Sequence, residues 1–164
     1  MRLEITIDLY ITWDDEDLQK IVTAWSNLHT LRLHDRSCPV WPMPSPGITF
    51  DGLCCLASQL PLKEIMLCVD LEKLPKYSKT NPIISCPTLR HLDLCVSPIT
   101  PNTDRIVTRF TRAFPSLSRL SNTFGPLIYD GYNPVDVYRV RWQAVERRLK
   151  SIMAENQHLE YCSY

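Results

Sequence analysis

Residues 25–33 read Trp25-Ser26-Asn27-Leu28-His29-Thr30-Leu31-Arg32-Leu33. An apolar residue leads, and Leu-x-x-Leu-x-Leu follows. The alternation at Leu31-Arg32-Leu33 is that of a strand buried on one face. The same pattern returns as Leu60-Pro61-Leu62-Lys63-Glu64-Ile65-Met66-Leu67, with one residue fewer before its Leu. It returns again as Cys86-Pro87-Thr88-Leu89-Arg90-His91-Leu92-Asp93-Leu94 and as Phe114-Pro115-Ser116-Leu117-Ser118-Arg119-Leu120. The last copy runs into Ser121-Asn122 and lacks the final Leu. The first Leu of each copy stands at 28, 62, 89 and 117, so the spacings are 34, 27 and 28 residues. Ile5-Thr6-Ile7 lies 26 positions before Leu31-Arg32-Leu33 and reads as a degenerate fifth strand.

Between these strands the periodicity changes to that of helices. Asp15 to Trp25 places Leu18, Ile21, Val22 and Trp25 at helical spacing, with acids in the first turn where the positive helix end favours them. Phe50 to Leu60 follows Thr49, a suitable N-cap, and Asp104 to Phe114 follows Asn102 or Thr103. Pro61 and Pro115 end their helices. Ile-Thr pairs at 11–12, 48–49 and 99–100 precede these stretches. Strand and helix units recurring near a period of about 20–29 residues predict leucine-rich repeats. The expected fold is α/β: a right-handed leucine-rich-repeat solenoid, a short horseshoe, with a parallel sheet and helices on its convex side. A doubly wound sheet is the alternative, but it does not require the same residues to recur.

Composition narrows the function. The chain has 164 residues, 45% apolar, with 18 basic and 18 acidic side chains. One domain with its own core fits that length. A balanced charge lacks the basic field of a nucleic-acid binder, so no nucleic-acid partner is expected. Leu is the commonest residue at 21, and Gly numbers only 4. So few glycines leave little from which to build a phosphate loop or a dinucleotide fingerprint. No signal-peptide core and no transmembrane run stand out, so no membrane partner and a cytoplasmic or nuclear location are expected. The seven Cys, with no Cys-x-x-Cys among them, then read as reduced thiols, mostly small buried hydrophobes.

Two connections interrupt the repeats: residues 34–47, with Trp41 and Met43 among four prolines, and residues 69–85, which replace an expected helix. Residues 1–130 are read as the degenerate repeats. Residues 131–164 are read as a C-terminal capping helix and tail of the same domain. Asn133 can cap that helix, and Val135, Tyr138, Trp142, Val145, Leu149 and Ile152 or Met153 share one face. Its Arg and Lys residues could instead serve a membrane or phosphate, but Glu146, Glu155 and Glu160 dilute the charge.

These segments resemble the C-terminal part of fungal F-box-like proteins with degenerate leucine-rich repeats. The resemblance rests on Trp25 to Leu33, on Asn81-Pro82 ahead of Cys86 to Leu92, on Ser97-Pro98-Ile99 and on Arg141-Trp142-Gln143-Ala144-Val145-Glu146. It covers roughly residues 17–155. It implies a substrate-recognition region of a cullin-type ubiquitin ligase subunit. The chain shows no F-box motif, so binding of the ligase adaptor is expected only with an F-box upstream of Met1. A free-standing or truncated repeat scaffold without a ubiquitin link is the alternative, and a Cys-His hydrolase is the remote one.

No motif names a reaction, and no enzyme activity, cofactor or metal is expected. Cys86 with His91, and His34 with Cys38, are the nearest Cys-His pairs in sequence, and neither has an identifiable orienting acid. Asp14-Asp15-Glu16-Asp17 lacks the glycine and the ligand spacing of a calcium loop. Binding is therefore assigned to the strands. If their Leu residues face the core, alternation sends Thr30, Arg32, His34, Glu64, Met66, Cys68, His91, Asp93, Cys95, Arg119 and Ser121 to the concave face. Thr30, Arg32, His34, Glu64, Met66, His91, Asp93 and Arg119 are the expected contacts for a protein partner or substrate. The reading without function is a row of solvated strand residues. One row is expected to run Asp8, Arg32, Met66, Asp93, Ser121. Asp93→Arg with Arg32→Glu is expected to abolish partner capture and spare the fold. An exposed first strand is also expected to promote self-association.

Overall fold

A computed structural model describes residues 1–7, 13–35, 45–74, 84–122 and 134–161. Five strands, β1 (Arg2–Ile7), β2 (Thr30–Asp35), β3 (Glu64–Met66), β4 (His91–Asp93) and β5 (Arg119–Ser121), form one parallel sheet in the order 1-2-3-4-5. Among the described residues the helices are α1 (Asp15–Ala24), α2 (Phe50–Gln59), α3 (Thr103–Ala113) and α4 (Pro134–Tyr161). Strands that neighbour in sequence neighbour in space throughout. Among the described residues the order has no reversal, and so no switch point of the kind at which doubly wound sheets form their ligand crevice.

Register follows the Leu pattern. Leu31, Ile65, Leu92 and Leu120 align across β2 to β5. The first three are almost fully buried, and so are Leu28, Leu62, Leu67, Leu89 and Leu94. Each Leu or Ile removed from water in this way contributes about 1.5–3 kcal/mol. β1 departs from the expected register. Leu3 pairs with Leu31 and Ile5 with Leu33, two residues from the expected alignment. Leu3, Ile5 and Ile7 alternate alike, so a slip of two keeps the same face inward and the pattern cannot choose between the two registers. Glu4 stands beside Arg32, where the expected row had Asp8. Asp8 lies outside the described residues.

The helices begin where their caps dictate. Asp14 accepts from Asp17 N at 2.9 Å, and the Asp17 carboxylate reaches back to Asp14 N, closing a capping box on α1. Thr49 Oγ1 accepts from Gly52 N at 3.0 Å on α2. Asn102 rather than Thr103 caps α3, accepting from Arg105 N at 3.1 Å. Asp15 joins the first two helix starts, taking hydrogen bonds from Thr49 N (2.9 Å) and Thr49 Oγ1 (2.7 Å). Isolated parallel bridges Asp14–Gly47, Thr49–Asp70 and Leu71–Ile99 link successive segments on this helix-start side. Between β3 and β4 the described chain holds Val69, Leu71 and Leu74 buried, without a helix. Phe50 of α2 meets Phe110 of α3 and its C-cap Phe114 edge-on, with centroids 5.6 and 6.2 Å away.

α4 packs on α3 and buries Trp142, Val145 and Leu149. Tyr138, Ile152 and Met153 are half-buried on the same side. Trp142 Nε1 donates to Ser97 O at 2.9 Å, and Arg141 Nη1 donates to Ile99 O at 2.7 Å. Ser97, itself buried, accepts from Val69 N at 2.8 Å and donates to Leu94 O at 2.5 Å. One serine thus joins the turn after β4, the segment after β3 and the terminal helix. Asn133, Trp41, Met43 and the structure of residues 75–83 lie outside the described residues, as do the side chains of Val135 and His158. No helix among the described residues is long and apolar enough to cross a membrane.

Candidate functional site

Alternation along the strands gives the sheet two unlike faces. The Leu and Ile positions point into the core formed with the helices. Their neighbours point away and stay wholly or partly exposed. Seven of the eight expected contact residues are brought together on that open face. Thr30, Glu64, His91 and Arg119 form one row across β2 to β5. Arg32, Met66, Asp93 and Ser121 form the next. His34 pairs with Thr6 in the backbone register, and its side chain is not among those described.

The polar groups on this face hold one another. Arg32 Nε donates to Glu64 Oε1 at 2.9 Å, and Nη2 bonds the same oxygen. Glu64 thereby raises the pKa of a guanidinium that is already cationic, and it loses its own freedom to pair elsewhere. Asp93 accepts from Ser121 Oγ and Cys95 N, both at 2.9 Å. Arg2 pairs with Glu4 at 2.5 Å on β1. The expected tolerance of Asp93→Arg with Arg32→Glu does not fit this geometry. That pair of changes would set a second carboxylate against Glu64 and remove two acceptor bonds from the β4 end. Met66 and Arg119 are the better probes. Met66 is half-buried at the centre of the face, and Arg119 is exposed.

Sequence reasoning missed part of the surface. Arg2 and Glu4 belong to it because they alternate with the inward Leu3 and Ile5 beside Thr30 and Arg32. Lys63 and Arg90 stand one residue ahead of β3 and β4, exposed beside His91 and Arg119. The strand starts thus bring Lys63, Arg90 and Arg119 near Glu64. Near the last strand, Ser118 to Asn122 and the α4 residues Glu146, Leu149, Lys150 and Met153 line a cleft of about 360 Å³. Burial raises the Glu146 carboxyl against the lowering effect of Lys150 and of its hydrogen bond from Asn122.

Cys54 and Cys86 are held as protonated thiols. Burial pushes Cys86 up to about 11 and Cys54 higher still. Cys86 Sγ donates to Cys54 O at 3.4 Å, while His91 is exposed on β4. The Cys86 sulfur is thus engaged by backbone and held as thiol, the reverse of an activated nucleophile. Cys38 lies outside the described residues. Among the described residues no group of three or more His, Cys, Asp or Glu is placed to hold a metal ion. Asp14 and Asp17 close a helix cap, and Asp15 bridges to Thr49. Comparison with family models, with curated proteins and with solved structures finds no match to this chain.

Proposed function

We propose that the chain is a non-enzymatic protein-recognition module, the leucine-rich-repeat region of an F-box-like ubiquitin ligase subunit, acting in the cytoplasm or nucleus. The observation that carries the reading is the in-register open face. Four strands present equivalent non-core positions side by side, with Met66 at the centre and charged or polar groups around it. An apolar centre with a polar rim is the anatomy of protein interfaces. Sequential parallel strands, recurring Leu positions and helix-start bridges support a right-handed solenoid of short horseshoe form, with α4 as its C-terminal cap. The protein partner or substrate lies across Thr30, Arg32, Glu64, Met66, His91, Asp93 and Arg119, with His34 at the margin. No cofactor, nucleic acid or membrane enters this reading.

The test uses the full-length gene product in its own cells. Met66→Arg and Arg119→Glu are expected to lower recovery of a defined partner at least tenfold with unchanged thermal stability. Gln19→Glu, on the exposed side of α1, should leave recovery intact. Equal behaviour of face and helix variants would refute the face. Co-purification of the ligase adaptor tests the ubiquitin link separately. Loss of that arm alone would leave the free-standing scaffold.

A further inference from the structure

Cys68 and Cys95 occupy equivalent places at the ends of the two central short strands. Met66 pairs with Asp93, and each cysteine follows its strand residue by two. Leu67 N donates to Asp93 O at 3.0 Å, so the ladder continues past β3 toward this pair. At Met66 and Asp93, two residues before the cysteines, the paired strands are about 4.7–4.9 Å apart, close to the Cα separation of about 4.4–6.8 Å that a disulfide spans. Cys68 is half-buried and Cys95 is 3% exposed, so solvent reaches the pair through Cys68.

Two further features set this pair apart. The Cys95 thiol is hydrogen-bonded to Cys68, and that contact, with burial, raises its pKa strongly. Cys95 also has φ 46°, the one positive φ on a non-glycine residue among those described. Asp93 Oδ1 holds its amide there at 2.9 Å. A backbone conformation that side-chain-bearing residues rarely adopt is a reason to look for function at that residue.

We propose that Cys68 and Cys95 form a dithiol modification site that hydrogen peroxide closes to a disulfide. The Cys68 thiolate attacks one peroxide oxygen and the O–O bond breaks. Cys68 becomes a sulfenic acid, and the departing hydroxide takes a proton to leave as water. The Cys95 sulfur then attacks the Cys68 sulfur as its proton passes to the departing hydroxyl. The S–S bond forms, the S–O bond breaks and a second water leaves. Two thiols are oxidised by two electrons, and one peroxide is reduced to two waters. The bond ties β3 to β4 beside Met66 and Asp93. The proposal stands on the geometry of the two thiols, whatever the face recognises.

The full chain is treated with hydrogen peroxide, alkylated, digested with trypsin without reduction and mapped by mass. Oxidation should lower the intact mass by about 2 Da and link the peptides of residues 64–73 and 91–105. Dithiothreitol should release that link, and C68S or C95S should each abolish it. A link between other cysteines, or Cys68 gaining about 32 Da as sulfinic acid with no link, would overturn the proposal. The wild-type map decides even if a serine variant fails to fold.

Discussion

Trp142→Phe probes whether the terminal helix is part of the core or an appendage. The indole is fully buried, and its Nε1 donates to Ser97 O at 2.9 Å. Phenylalanine removes the donor and one ring of the indole. Leaving the buried Ser97 carbonyl without this partner costs about 1–3 kcal/mol. The lost apolar contact adds about 1 kcal/mol at 25 cal/mol per Å² of missing buried surface. The sum is about 2–4 kcal/mol, a large fraction of the roughly 5–15 kcal/mol by which domains are stable. Equilibrium urea unfolding followed by circular dichroism reads this directly. The midpoint should fall at constant slope, in one transition. Ser97→Ala keeps that carbonyl and removes only the Oγ bonds to Val69 N and Leu94 O, so it probes the turn after β4 separately. A loss below about 0.5 kcal/mol, the range of ordinary surface substitutions, would refute the reasoning. So would a separate early transition for α4.

Three other outcomes follow from single contacts. A Cβ on Gly52 would lie 1.9 Å from Asp15 Oδ1, so Gly52→Ala must break the Asp15–Thr49 link. The helix-propensity gain of about 1 kcal/mol should appear only in an Asp15→Ala background, and a gain in the wild type would contradict the link. Asp70 is 4% exposed; burial alone would raise its carboxyl, but bonds from Lys73, Ser45 and Glu72 N outweigh that and hold it below the usual value. Its folded pKa is lowered, so its contribution is complete above the unfolded value of about 3.9 and disappears as pH falls through the folded one. Asp70→Asn should flatten that acid limb of stability against pH, and an unchanged limb would exclude the carboxylate. Met66→Arg should abolish partner recovery while Gln19→Glu does not, and parity between them would place recognition elsewhere.

What was legible in the sequence depended on how strongly each signal was constrained. Leu31, Ile65 and Leu92 fixed strand positions because a one-residue slip would expose them. The offsets of 34, 27 and 28 between paired strand residues equal the Leu spacings. Thr49 was legible as a cap because its side chain satisfies an amide that helix geometry leaves open. Leu3, Ile5 and Ile7 carried no such constraint, and the β1 register was missed by two. Most of the open face was legible from alternation alone. The Arg32–Glu64 pair was not, because it reaches diagonally between strands whose register had first to be known. Nor could sequence show the left-handed backbone at Cys95 or the bridging role of Ser97, which arise from the turn after β4.

The most direct test of the recognition face is site-resolved photo-cross-linking in the full-length gene product, in its own cells. A photoreactive residue is placed in turn at Met66, Arg119, Gln19 and Arg147. The account predicts an adduct with the same partner at Met66 and Arg119, and none at Gln19 on α1 or Arg147 on α4. Adducts confined to the helix positions, or none at the two sheet positions, would contradict it.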